Sequence, residues 1–224
     1  MKNYLIVGAD RGIGREMVRQ LSERGEYVLG ACLGGDALDG QNVVTIPYLD
    51  VTSVSATEKL AKALDHEKPV DVVIHVAGVL GLDEFGKIDF DDVRRHFEIN
   101  TVGPLRVAQA VKPYLAKPAK LGIVTSRVGS LTDNESGGMY AYRVSKCGAN
   151  MVGLNLHHDL KKKGHSVLLL HPGMVATDLT KDIRGDLEWD TPENAAAGLI
   201  RNMDELTPET SGQFRHANGD FLPW

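Results

Sequence analysis

Hydrophobic and polar positions follow two alternating periods along the chain. Short, nearly continuous apolar runs recur at 4–7, 27–32, 43–48, 71–76, 121–126 and 166–171, and the more polar segment 212–216 is read as a seventh strand. Runs of this length bounded by glycine or polar residues read as strands buried on both faces. Between them the period changes to that of a helix. Met17, Val18 and Leu21 share one face, with Arg15, Glu16, Arg19 and Gln20 on the other. Leu60, Ala63 and Leu64 form a second inward set behind Ser53 or Ser55 as N-cap. Asp89 opens a long helix with Phe90, Val93, Phe97, Thr101, Leu105, Ala108 and Val111 on one stripe. Asn100 lies in its middle, and Pro104 removes the amide that would bond to the Asn100 carbonyl, so the helix is expected to bend there. A further helix runs from the Tyr142 region to about Lys163. The last begins at Thr191 and Pro192 and continues through Met203. The segment 179–190 has no strong period and reads as a flexible lid. No repeat or interdomain linker interrupts the chain. Strands alternate with helices throughout, which predicts a single doubly wound (Rossmann) α/β domain over residues 1–224, with about seven parallel strands covered on both faces.

Composition narrows the class. The chain has 224 residues, 42% apolar and 25% charged, with a net charge of −5. That length builds a good core, and no basic block offers a nucleic-acid surface. Cys32 and Cys147 are far apart and form no Cys-x-x-Cys motif, so no disulfide is expected and a reducing cytoplasm is the default setting. The opening Met1-Lys2-Asn3-Tyr4 carries no signal-like pattern, and no apolar run is long enough to span a bilayer, so no membrane role is expected.

Candidate chemistry sits where strands end. The first strand closes in Gly8-Ala9-Asp10-Arg11-Gly12-Ile13-Gly14 and a helix follows. Absent side chains let backbone approach a pyrophosphate, and the helix N-terminus favours its charge. The end of the second strand is where such folds read the adenosine ribose. Here it offers only Leu33-Gly34-Gly35-Asp36. Arg11 favours a 2′-phosphate and Asp10 opposes one, leaving a slight lean to NADP(H) over NAD(H). Asp50, followed by Val51, either meets an adenine amino group or caps the approach to the next helix. Ala77 and Gly78 leave room for a flat ring after the fourth strand, and His75 before them reads as a packed strand residue. Tyr142 and Lys146 are four apart, so on a helix they stack on one face. An ammonium beside a phenol favours the phenolate, giving a pair able to exchange a proton with an oxygen. Tyr140 competes for the same role, but one turn on it meets Val144, not a cation. Ser126 ends the fifth strand beside Thr125, with Ser130 as its competitor.

Together these features resemble the short-chain dehydrogenase/reductase family. Gly8-x3-Gly12-x-Gly14 is similar to its cofactor loop, and Pro172-Gly173-x3-Thr177 to its segment after strand six. Asn100, Ser126, Tyr142 and Lys146 match its catalytic residues in order. Arg143, the stretch 133–138 and the Pro223-Trp224 ending look most similar to the sniffer, carbonyl-reductase-like and C-factor-like branch. The resemblance implies hydride exchange between a nicotinamide and a small carbonyl or alcohol. Ser126 would hold the substrate oxygen, Tyr142 would exchange the proton, and Lys146 would tune Tyr142 and hold the ribose. Asn100 would anchor a relay water, and Val175 and Thr177 would hold the carboxamide. It also implies a homodimer or homotetramer, and its C-factor branch a rival role in dinucleotide-dependent signalling. Two departures stand out: His75-Val76-Ala77-Gly78 where the family has Asn-Asn-Ala-Gly, and Val7 where it has threonine.

Overall fold

The computed structural model describes residues 1–186 and 188–224. Seven strands form one parallel sheet: β1 (Asn3–Val7), β2 (Tyr27–Ala31), β3 (Val43–Ile46), β4 (Val70–His75), β5 (Leu115–Val124), β6 (Ser166–His171) and β7 (Phe214–His216). Their order across the sheet is β3-β2-β1-β4-β5-β6-β7, and every paired neighbour runs parallel. Chain direction across the sheet reverses between β1 and β4, which opens a crevice beyond their carboxyl ends.

The unbroken apolar runs have a direct cause. Successive strand residues point to opposite faces, and here both faces are buried. Leu5, Val7, Val73, Leu121 and Val167 pack into one core with α2 (Val54–Ala63), α4 (Gly103–Val111) and α5 (Tyr140–Lys161). Tyr4, Ile6, Ile74, Leu168 and Leu170 pack into the other, under α1 (Gly12–Glu23) and α6 (Pro192–Glu205). The expected caps are present: Ser53 accepts from the Ala56 amide, Asp89 from Asp91 and Asp92, and Thr191 from Asn194. Both cysteines are free. Among the described residues no helix is long and apolar enough to cross a membrane.

Several boundaries and faces differ from expectation. Strand β3 stops before Pro47, which has no amide to donate, and Tyr48 then turns at φ 58°. Ala63 is exposed because α2 ends at that residue. The long helix from Asp89 is two helices, α3 (Phe90–Phe97) and α4, joined by a π-helical turn at Glu98–Val102. That turn is the expected bend, where the α-helical partner of the Asn100 carbonyl would be Pro104. A π turn takes in an extra residue and rotates the helix before it relative to the helix after it. The continuous stripe therefore fails: Phe90 and Phe97 are exposed, and His96 and Asn100 are buried instead. Strand β5 starts earlier than expected, at Leu115, and β7 starts later, at Phe214. Within 179–190, a 3-10 turn covers Asp178–Ile183, and Asp190 pairs back with Val175; Leu187 lies outside the described residues.

Candidate active site

A cavity of about 340 Å³ opens at the carboxyl ends of β1 and β4. Its floor is the glycine turn. Gly8 takes φ 87° and is so close to Ala77 that a Cβ on it would lie 2.6 Å from the Ala77 nitrogen. Only glycine meets both demands. Gly14 does not line the cavity; it packs α1 directly on the Gly8 carbonyl. Asp10, Arg11, Gly12, Ile13, Asp50, Val51, Ala77, Gly78, Pro172 and Thr177 all line it, as expected. Asp50 also accepts from the Thr52 amide at 2.9 Å, so its capping role is present whether or not it meets a ligand. Gly173 and Val175 do not line the cavity. The Val175 carbonyl is already taken by the Thr180 hydroxyl at 2.7 Å and the Thr177 amide at 2.9 Å. Thr177 lies over the glycine turn, its methyl 3.2 Å from where a Gly12 Cβ would be.

Tyr142 and Lys146 project from one face of α5 into the same cavity. The Lys146 Nζ lies 5.7 Å from the Tyr142 ring centroid and donates to the Val124 carbonyl at 3.1 Å. Both side chains are buried. Burial pushes the Tyr142 phenol up to about 12, partly offset by a hydrogen bond with Ser126. Burial pulls the Lys146 ammonium down to about 8. Burial, and not the ammonium, sets the direction for the phenol: desolvation disfavours the charged form of each group. The competitors are resolved by contact. Ser126, not Ser130, acts on Tyr142, drawing its phenol back down against burial, while the Ser130 hydroxyl accepts from the Asp133 amide at 3.1 Å in its own turn. Tyr140 points outward and packs with Phe85 at 6.2 Å between ring centroids.

Asn100 acts through its side chain as a clamp. Its Oδ1 accepts from the Val79 amide and its Nδ2 donates to the Val79 carbonyl, each at 2.9 Å. The same Nδ2 donates to the Ser145 hydroxyl at 2.9 Å. It thus ties the exit of β4 to α5, and its oxygen is 2.9 Å from where a Gly78 Cβ would be. His75, beneath it, is a packed strand residue as expected. It is buried, its imidazole is pulled down to about 3 by burial and by Lys146, and among the described residues neither ring nitrogen has a partner.

Some positioning residues carry no signal in the sequence. The Asp83 carboxylate accepts from the Tyr140 amide at 2.6 Å and the Ala141 amide at 2.8 Å, capping the helix that carries Tyr142. Its carbonyl accepts from the Met139 amide at 3.1 Å. Leu33, from the expected ribose corner, and Leu179, from the expected lid, line the cavity as well, and Leu49, Val79, Arg95 and Ile99 join them without having been anticipated.

Residues 2–188 match the model of the short chain dehydrogenase family. The chain is 60% identical over 227 residues, covering 100% of both chains, to 1-hydroxy-2-glutathionyl-2-methyl-3-butene dehydrogenase of Rhodococcus sp. (strain AD45). It is 43% identical over 159 residues to C-signal of Myxococcus xanthus, covering 70% of this chain and 93% of that one. Its backbone is similar to that of NADPH-bound carbonyl reductase from chicken fatty liver (TM-score 0.88, 25% identity, 100% and 99% of the two chains covered). A crevice at the strand reversal, a tight glycine floor and a buried tyrosine–serine–lysine group thus coincide with similarity along the whole chain: this protein belongs to the short-chain dehydrogenase family and is an oxidoreductase.

Proposed function

We propose that the chain exchanges a hydride between a nicotinamide dinucleotide and a small alcohol or carbonyl compound, with Tyr142 as the acid–base group. One observation carries this reading: a buried phenol with an ammonium 5.7 Å from its ring, both lining the glycine-floored cavity. The glycine turn and the α1 N-terminus would hold the pyrophosphate, and Lys146 the nicotinamide ribose. Ala77, Gly78 and Pro172 leave a flat slot for the ring. Arg11 speaks for the phosphorylated cofactor and Asp10 against it. The bound nicotinamide supplies the hydride acceptor or donor.

The protein's own work is on the oxygen. In the oxidative direction Tyr142 first gives its own proton up to solvent; as a phenolate it then takes the hydroxyl proton while the carbinol C–H leaves as hydride and the carbonyl forms. In the reductive direction Tyr142 returns that proton to the oxygen. A phenol pushed up to about 12 keeps its proton at neutral pH, as a donor must. Ser126 orients the substrate oxygen towards it. Lys146 adds positive charge where the phenolate would form.

The 60% identical relative acts on a glutathionyl-bearing alcohol, which supports an alcohol carrying a glutathione thioether as substrate class. Leu179 is exposed and lines the cavity, which suits an apolar substituent. A homodimer is the assembly we favour. Phe97, Leu105, Val144 and Met151 form an exposed apolar surface on α3, α4 and α5, with Phe97 against Gly148. The similarity to C-signal supports a second reading, in which dinucleotide binding serves signalling and turnover is slight. One assay separates the two. NAD+ or NADP+ reduction is followed spectrophotometrically with glutathionyl alcohols and plain alcohols, and the reverse reaction with aldehydes and quinones. Turnover above ~1 per second, an ordinary enzyme rate, supports the dehydrogenase. Tight cofactor binding without turnover on any of these supports the sensor.

A further inference from the structure

The corner of the cavity where β2 ends contains an anion site that the chain fills itself. The Asp10 carboxylate leaves the glycine turn and crosses to the loop after β2. Its Oδ2 accepts from the Leu33 amide at 3.0 Å and its Oδ1 from the Gly34 amide at 2.7 Å. The loop is fixed from the other side as well, because the Gly34 carbonyl accepts from the Tyr48 amide at 3.2 Å. Asp10, Arg11 and Leu33 line the cavity together. In sheets of this order the loop after β2 meets the adenosine ribose. A 2′-phosphate there needs backbone amides or a cation to hold it, and it carries nearly two negative charges at neutral pH.

From this geometry we propose that Asp10 is a cofactor-selectivity residue and that the chain prefers NAD(H) to NADP(H). The proposal rests on the dinucleotide reading above. Two amides able to bind a phosphate are already bonded to a carboxylate, which would also repel one. A 2′-hydroxyl, by contrast, can donate to that carboxylate. The nearby cations do not cancel it. Arg11 and Arg15 stand on the same turn and helix, and the charges of Asp10 and Arg15 act in opposite directions on the Cys32 thiol. Among the described residues neither arginine forms an ion pair with Asp10. The loop itself, Leu33-Gly34-Gly35-Asp36, adds no cation and a second acid. The lean towards NADP(H) drawn from Arg11 is thus outweighed by the residue beside it.

The test is calorimetric titration of the full chain with NADH and NADPH, repeated with Asp10→Asn and Asp10→Ser. The wild type should bind NADH at least about tenfold more tightly than NADPH, the equivalent of one decade in Kd. Asp10→Asn keeps the shape and removes the charge, so it should tighten NADPH and narrow the ratio to within about threefold. Asp10→Ser frees both amides and should narrow it further. Equal or tighter binding of NADPH by the wild type overturns the proposal, and so does an unchanged ratio in both variants. The wild-type ratio stands as a test even if a variant fails to fold. If neither nucleotide binds the wild type, the dinucleotide reading falls and this proposal falls with it. If both bind the wild type equally, only this proposal falls.

Discussion

Asp83→Ala should uncouple the start of α5 from the loop after β4. The first amides of a helix have no partner within it, and α5 is an unusual case. Its preceding residue, Met139, sits at φ 51° and offers no side-chain cap. Two of its leading amides are instead satisfied from 57 and 58 residues away, at 2.6 and 2.8 Å. Loss of a capping side chain costs about 1 kcal/mol, and hydrogen bonds to a charged group are worth about 1.5–3 kcal/mol. The two bonds share one half-buried carboxylate, so about 2 kcal/mol is the expected loss of stability. Tyr142 is one residue beyond the second clamped amide. Fraying there moves its hydroxyl before it moves the glycine turn. The expected signature is therefore a kcat lowered about tenfold, the equivalent of about 1.4 kcal/mol in the barrier, with cofactor Kd unchanged. Urea unfolding gives the loss of stability, steady-state kinetics the rate, and titration calorimetry the Kd. Asp83→Asn should recover part of both losses, because an amide oxygen still accepts one bond. Full kcat and an unchanged urea midpoint in Asp83→Ala would show that Asp83 does not position α5.

Two further perturbations test the frame around the site. His75 and His171 are each pulled down to about 3, chiefly by burial, with Lys146 contributing to both and His216 and Arg127 to His171. Below about pH 6.5 the unfolded chain takes up protons that the folded chain refuses, so stability falls as pH drops towards 3. The loss between pH 7 and pH 5 should be about 2 kcal/mol for each histidine. Urea unfolding at the two pH values measures it, and His75→Asn should remove about half; an unchanged loss in that variant would clear His75. Asn100→Leu keeps the bulk but leaves the Val79 amide and carbonyl without partners, at about 1–3 kcal/mol each. A destabilisation under about 1 kcal/mol by urea unfolding would show that the clamp is not holding the β4 exit.

The legible part of this fold is the part governed by local chemistry. Buried parallel strands must be apolar on both faces, so Tyr4 to Val7 and Ser166 to His171 read correctly. Glycines under a close backbone approach and a tyrosine four residues before a lysine are likewise local patterns. What escaped depends on distant partners or on a change of helical period. Asp83 reads as one more loop acid until α5 arrives beside it. The exposed Phe90 and Phe97 were misplaced because a straight α-helical wheel was carried across a π turn. Asn100 was visible as an oddity, but its bonds to Val79 and Ser145 required the β4 exit and α5 to be brought together. The acid–base balance of Tyr142 was misjudged because desolvation is a property of the finished pocket.

Proton transfer by Tyr142 is tested most directly by Tyr142→Phe, assayed beside the wild type for turnover and for cofactor affinity. The variant loses one hydroxyl in a buried site and should fold and bind the dinucleotide as before. Removing the acid–base group should lower kcat at least about 100-fold in both reaction directions. Turnover within about threefold of the wild type, with cofactor binding intact, would contradict the assignment of proton transfer to Tyr142.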